Sequence, residues 1–184
     1  MKKRRVSKEK TMRPTFFVFC EGKSEEAYVK YLRSKYKLPI DIDPSVAGLS
    51  ISEKHISNYK RGKDIDPRKD KDFLMYDLDR ADVLPRLQAI RGAVIIASNP
   101  CFELWYLLHY KNQTSALTSE KCNELLLSYV KSYCKGSMCR ELIKVLTDNN
   151  IVASERAASL VPLENPYTDM HKFISELEAI KSCK

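Results

Sequence analysis

Three acids, Glu21, Asp77 and Asp79, stand where apolar runs end. Phe16-Phe17-Val18-Phe19-Cys20 leads into Glu21 and Gly22, and Phe73-Leu74-Met75-Tyr76 leads into Asp77, with Asp79 two residues further on. A carboxylate is costly to remove from water, so an acid closing an apolar strand points to an exposed edge with a purpose. In open α/β sheets that edge is where ligands bind. Three carboxylates meeting there suit Mg²⁺, a hard cation that takes oxygen ligands, with Mn²⁺ as a substitute. The chemistry such a centre serves is hydrolysis of a phosphodiester, which needs an activated water and relief of charge on the leaving oxygen. Asp77 and Asp79, spaced by two, share one side of the strand if it persists. Glu21 closes the set as a ligand or a general base. Lys23 and Arg80, next to these acids, are placed to balance charge and contact phosphate.

The elements needed to hold these residues are legible on either side of them. Thr15–Cys20 is continuously apolar, the pattern of a strand buried on both faces of a parallel sheet. Glu21-Gly22-Lys23 forms the turn, Ser24 is the expected N-cap, and Glu25 and Glu26 favour the positive end of a helix over 25–37. Pro39–Val46 alternates as a short strand. Residues 47–71 carry the weakest pattern, and the charged stretch Lys60–Asp72 with Pro67 inside it reads as an exposed loop or a frayed helix. Asp72–Tyr76 is the next strand, 81–90 a short helix limited by Pro85, and Gly92–Ala97 another buried strand. Ser98 and Asn99 then fall at the same edge as the acids, where they cap a helix or contact substrate. Asn99 and Pro100 suit the N-cap and first position of a helix to about Tyr110. Further helices follow near 119–134, 138–147 and 151–161, and a last one from Asn165-Pro166 to Ser182. The order strand, helix, strand, strand, helix, strand predicts an α/β fold with a parallel sheet of about four strands and a C-terminal helical addition.

At 184 residues the chain suits one compact domain, divided here into a basic arm (1–13), an α/β core (14–111) and a helical region packed on it (112–184). No apolar run approaches the roughly 18 residues of a membrane span, so a cytoplasmic protein with no membrane partner is expected. The net charge of +8 is concentrated: residues 1–13 hold seven Lys/Arg against Glu9, leaving only about +2 elsewhere. Such an arm is either a solvated tail or a sequence-independent contact to nucleic-acid phosphates. The six cysteines include no second close pair or suitably spaced histidine to complete a zinc set, so reduced structural thiols are expected. His109 shares a helical face with Phe102 and Trp105, which reads as a packed histidine.

Several of these segments resemble known families. Glu21-Gly22-Lys23-Ser24-Glu25, the Asp77-Leu78-Asp79 step and their strands resemble the Toprim domain of topoisomerases, primases and OLD-type nucleases, in which one Glu and an Asp-x-Asp pair bind Mg²⁺. The stretch Ala97-Ser98-Asn99-Pro100-Cys101-Phe102-Glu103-Leu104-Trp105-Tyr106-Leu107-Leu108-His109-Tyr110 resembles the signature of the RloB family, and Asn165-Pro166-Tyr167-Thr168-Asp169-Met170 its C-terminal Asn-Pro-x-Thr motif. The resemblance covers about residues 14–182. It implies a Toprim-like sheet, the metal ligands Glu21, Asp77 and Asp79, and Glu103 as a fourth ligand or merely a helix-dipole acid. It also implies a metal-dependent nuclease acting on RNA, including tRNA, or on DNA, as effector of a bacterial anti-phage system with an AAA ATPase encoded nearby. The alternative is a non-catalytic subunit that binds the ATPase or nucleic acid. Homo-oligomerisation is left open.

Overall fold

In the computed structural model, residues 13–45 and 48–182 are described, so most of the basic arm lies outside them. Strand β1 (Phe16–Cys20) is buried at every position, as a strand covered on both faces must be. Helix α1 (Lys23–Tyr36) returns the chain to β2 (Ile40–Ile42). Helix α2 (Glu53–Lys60) leads to β3 (Lys71–Asp77), and α3 (Val83–Gln88) to β4 (Ala93–Asn99). Then come α4 (Glu103–Leu108), α5 (Ser119–Tyr129), α6 (Arg140–Asp148), α7 (Asn150–Ala158), β5 (Tyr167–Thr168) and α8 (Met170–Ser182). The five strands lie in the order β2-β1-β3-β4-β5. The first four are parallel, and β5 runs antiparallel beside β4 through Ser98↔Thr168 and Asn99↔Tyr167.

Alternation along the strands builds two cores. Phe16, Val18 and Cys20 of β1, with Phe73 and Met75 of β3, face α1, α4 and α8. Phe17, Phe19, Leu74 and Tyr76 face the other way, toward Ile56 of α2 and Val83 and Leu87 of α3. Phe73 joins strand to helix in the first core, its ring centroid 4.9 Å from those of both Phe16 and Phe173. Burying each such ring contributes about 1.5–3 kcal/mol.

The α/β class and the parallel core match the sequence expectation, and four local assignments differ. Residues 165–169 do not open the last helix: Tyr167–Thr168 pair with β4 as a fifth strand, and α8 begins at Met170. A two-residue strand has no periodicity to detect. Asn99 ends β4 instead of capping a helix, Pro100 follows through a cis bond, and α4 starts three residues later. Ser24 lies inside α1 and Gly22 takes the cap position with no side-chain cap. The segment 47–71 contains α2, whose cap is Ser52, accepting from the His55 backbone N–H at 3.2 Å. Lysines of its charged tail are paired: Lys60 with Asp72 at 2.8 Å, Lys63 with Asp41 of β2 at 2.5 Å and Lys69 with Asp66 at 3.3 Å. All five described cysteines are free thiols. No helix among the described residues is long and apolar enough to cross a membrane.

His109 is packed in the core, as its helical spacing suggests. Its Nδ1 donates to the Trp105 carbonyl at 2.8 Å, while Nε2 is buried without a partner. Burial lowers its pKa to about 4, so the folded ring stays neutral where the unfolded one takes up a proton. The unfolded state therefore binds more protons between about pH 4 and 6.5, and this contribution to stability is lost as pH falls through that window. His109→Asn keeps a donor for Trp105 and removes the titrating ring. Urea unfolding of both proteins should show wild type losing about 2 kcal/mol relative to the variant between about pH 7.5 and pH 5. A constant difference across that range would refute the assignment.

Candidate functional site

The carboxyl ends of β1 and β3 are neighbours, so the acids that close them meet. Glu21 lies just past β1, its backbone N–H on the Met75 carbonyl at 3.0 Å, and its Oε2 accepts the Asp77 N–H at 2.8 Å. Asp77 is the last residue of β3, and on the alternation of Phe73 and Met75 it faces α1 and α4. Its residue is only partly buried, yet Oδ1 is closed from solvent and meets no protein donor. An unsatisfied buried carboxylate oxygen is expensive and calls for a partner. Asp79 has left the strand and lies in the exposed turn after it. The strand ends at Asp77, so its alternation no longer sets the side that Asp79 takes, and the charge of Asp79 adds to the burial that raises the pKa of Glu21.

The structure adds an acid that the sequence attributes to the helix dipole alone. Glu25 is 4% exposed at the start of α1, and its carboxylate folds back over Gly22. A Cβ at position 22 would stand 2.9 Å from Glu25 Oε2, so a glycine there leaves the space. The signal available was the spacing of four between Glu21 and Glu25 with only small or flexible residues between them. Glu103, the first residue of α4, is 2% exposed and is the hub of the site. Its Oε1 accepts from Ser24 Oγ and from Tyr133 Oη, each at 2.8 Å, and lies 3.9 Å from Lys135 Nζ.

The proton affinities follow from this crowding. Burial, then the charges of Glu25, Glu21 and Glu103 among others, hold Asp77 well above the ordinary carboxylate range. Burial raises Glu25 to about 7; a hydrogen bond from its own backbone N–H opposes this, Glu103 and Glu21 add to it, and Lys135 opposes it weakly. Burial also raises Glu21, against the Asp77 N–H and Arg80. Each is the response of an acid in a low-dielectric, like-charged setting, and a divalent cation would reverse it. Among the described residues no three acid, His or Cys groups stand close enough to form a finished metal cage. Instead, Glu21 and Glu103 have each turned to protein donors. The orphaned Oδ1 of Asp77, with Glu21, Glu25 and Glu103 around it, fits an oxygen-liganded cation.

The other residues named from sequence are placed differently. Lys23 is the exposed first residue of α1, its Nζ 3.9 Å from Glu26. Arg80 forks onto Asp82, at 3.0 Å through Nε and 2.6 Å through Nη2. Ser98 is buried with its hydroxyl on Thr168 at 3.0 Å, and Asn99 Nδ2 donates to the Leu163 carbonyl at 3.0 Å. Both hold the C-terminal segment to β4. Tyr133 and Lys135, by contrast, reach the site from a segment with no motif in the sequence beyond Gly136. That glycine has φ +76°, and a Cβ on it would meet Lys23 Cβ at 2.8 Å.

The two close approaches differ in kind, and substitution separates them. Gly136→Ala meets both a left-handed backbone and a rigid neighbour, so equilibrium unfolding should show a loss of at least about 1–2 kcal/mol. Gly22→Ala opposes only the tip of a flexible side chain on an extended backbone, so its stability should stay within about 1 kcal/mol of wild type. Equal losses at the two positions would contradict this geometry.

A family model described as RloB-like protein matches residues 16–177, which include all five acids. No curated protein and no solved structure matches the chain. The match covers most of the sequence, and the chain belongs to the RloB-like family.

Proposed function

We propose that the chain is a divalent-metal-dependent nuclease of the Toprim type, with Mg²⁺ or Mn²⁺ as cofactor and RNA or DNA as substrate. The observation that carries the reading is the buried, partnerless Oδ1 of Asp77 beside Glu21, Glu25 and Glu103. Asp77, Glu21 and Glu25 would hold the cation, with Asp79 at its solvent side and Glu103 fixing the inner wall through Ser24 and Tyr133. Bound there, the metal supplies an activated water and neutralises charge on the phosphate being cleaved. The residues do the rest. Glu21 and Asp79 lie on the open side of the cluster, where a carboxylate can accept a proton from an attacking water. The core behind Asp77 (Met75, Cys20 and Cys101) excludes solvent from the inner side. Service as effector of a phage-defence pair with an AAA ATPase belongs to the same proposal, and rests on the family resemblance.

The test is cleavage of labelled tRNA, mRNA and DNA with and without Mg²⁺ or Mn²⁺. Asp77→Asn and Glu21→Gln should each lower metal-dependent cleavage at least about a hundred-fold while the fold is retained, since even residues supporting a metal ligand are worth ten- to a hundred-fold. Full activity in both variants would eliminate the reading. A second measurement needs no substrate. Because Glu25 keeps its proton up to about pH 7, a cation must displace it at lower pH. Calorimetric Mn²⁺ affinity should therefore tighten between about pH 6 and pH 8, with proton release at the lower end. Affinity independent of pH would remove Glu25 from the ligand set.

A further inference from the structure

An acid cluster repels a polyanion, so a site that cuts nucleic acid needs cations at its rim. The arginine adjacent in sequence has part of its charge committed, since Nε and Nη2 of Arg80 are engaged by Asp82. Two lysines are freer. The Lys23 side chain is 74% exposed and its Nζ stands 3.9 Å from Glu26; that of Lys135 is 63% exposed and stands 3.9 Å from Glu103 Oε1. Both separations exceed an N–H···O hydrogen bond, so these pairings leave each ammonium's donors available to another anion.

The two residues are distant in sequence and forced together by the fold. Gly136 packs against Lys23 so closely that a Cβ would stand 2.8 Å from the lysine's own. Its N–H donates to Ser24 Oγ at 3.4 Å. Tyr133, two residues before Lys135, is held on Glu103 at 2.8 Å, and Met138, three after, accepts from Tyr106 Oη at 3.5 Å. The segment 130–139 is thus fastened on both sides of Lys135, whose base is set by the fold while its tip is free.

We propose that Lys135, with Lys23 beside it, grips a backbone phosphate of the nucleic acid at the rim of the acid cluster. This rests on the reading of that cluster as a phosphodiester-cleaving site. An ammonium is a compact point charge suited to a single phosphate, and such a contact positions the strand without reading its bases. The C-terminal half of the chain thereby contributes directly to substrate binding.

The test is fluorescence anisotropy with labelled single-stranded RNA and DNA, on the full chain without divalent metal, across a salt series. Lys135→Ala should weaken binding about five-fold at low salt and lower the slope of log affinity against log salt by about 0.7, the value for one phosphate contact on a single strand. Lys135→Arg should restore both, and Lys144→Ala, on α6, should change neither. A merely structural lysine would not alter the salt slope. Wild-type affinity and slope in Lys135→Ala would overturn the proposal, as would failure of the wild-type chain to bind either strand at low salt. The nuclease reading is decided separately. Metal-dependent cleavage with an unaffected Lys135→Ala sinks the grip alone, whereas a lysine-dependent salt slope in a chain that never cleaves sinks the nuclease alone.

Discussion

The carboxyl edge of this sheet depends on how one desolvated acid, Glu103, is satisfied. A carboxyl group at 2% exposure needs donors, because an unpaired buried polar group costs on the order of several kcal/mol. Glu103 sits at the head of a six-residue helix and does not find those donors on that helix. It takes one from Ser24 at the start of α1 and one from Tyr133 in the segment after α5. Satisfying a single oxygen therefore fastens three separate stretches of chain around one point. Glu25 is carried in on the same turn of α1 as Ser24, and Lys135 on the same segment as Tyr133.

What the sequence revealed and what it hid follow from this arrangement. Glu21 and Asp77 were legible because each closes an apolar run, and adjacent parallel strands bring run-ends together. Which side an acid takes was legible only while the strand lasted. Asp77 is its last residue, so alternation places it correctly, whereas Asp79 falls in the turn where a period of two no longer applies. Glu25 was hidden because an acid in the first helical turn is expected on dipole grounds alone. The one local hint, a glycine between Glu21 and an acid four residues on, is too common to separate the two cases. Tyr133 and Lys135 were hidden for a different reason: their role depends on tertiary closure over about 110 residues of separation from Ser24.

The C-terminal half likewise reads as helices added to a finished core, yet it completes the sheet. Thr168 pairs with Ser98, and the Asp169 backbone N–H bonds the Ala97 carbonyl at 2.8 Å. Phe173 then packs its ring on Phe16 and Phe73. The polar residues at the end of β4, Ser98 and Asn99, suit either a helix cap or a substrate contact from sequence, because that edge is where ligands bind in open sheets. Their backbones pair with an antiparallel strand that the two-residue length of β5 conceals, and their side chains bond Thr168 and the Leu163 carbonyl. The acids gather at the carboxyl ends of the adjacent strands β1 and β3.

Crowding at these strand ends governs how each acid is satisfied. Four carboxyl groups near one another in a dry setting repel, and each lowers its energy by turning to a donor or keeping a proton. Glu21 has the Asp77 N–H, Glu103 has two hydroxyls, and Glu25 has its own amide and a raised proton affinity. Asp77 Oδ1 is buried and left without a donor. A cation bound as proposed would give these acids a shared positive partner and reverse the raised proton affinities. Gly22 leaves room beside the Glu25 carboxylate, since a side chain there would begin 2.9 Å from its Oε2.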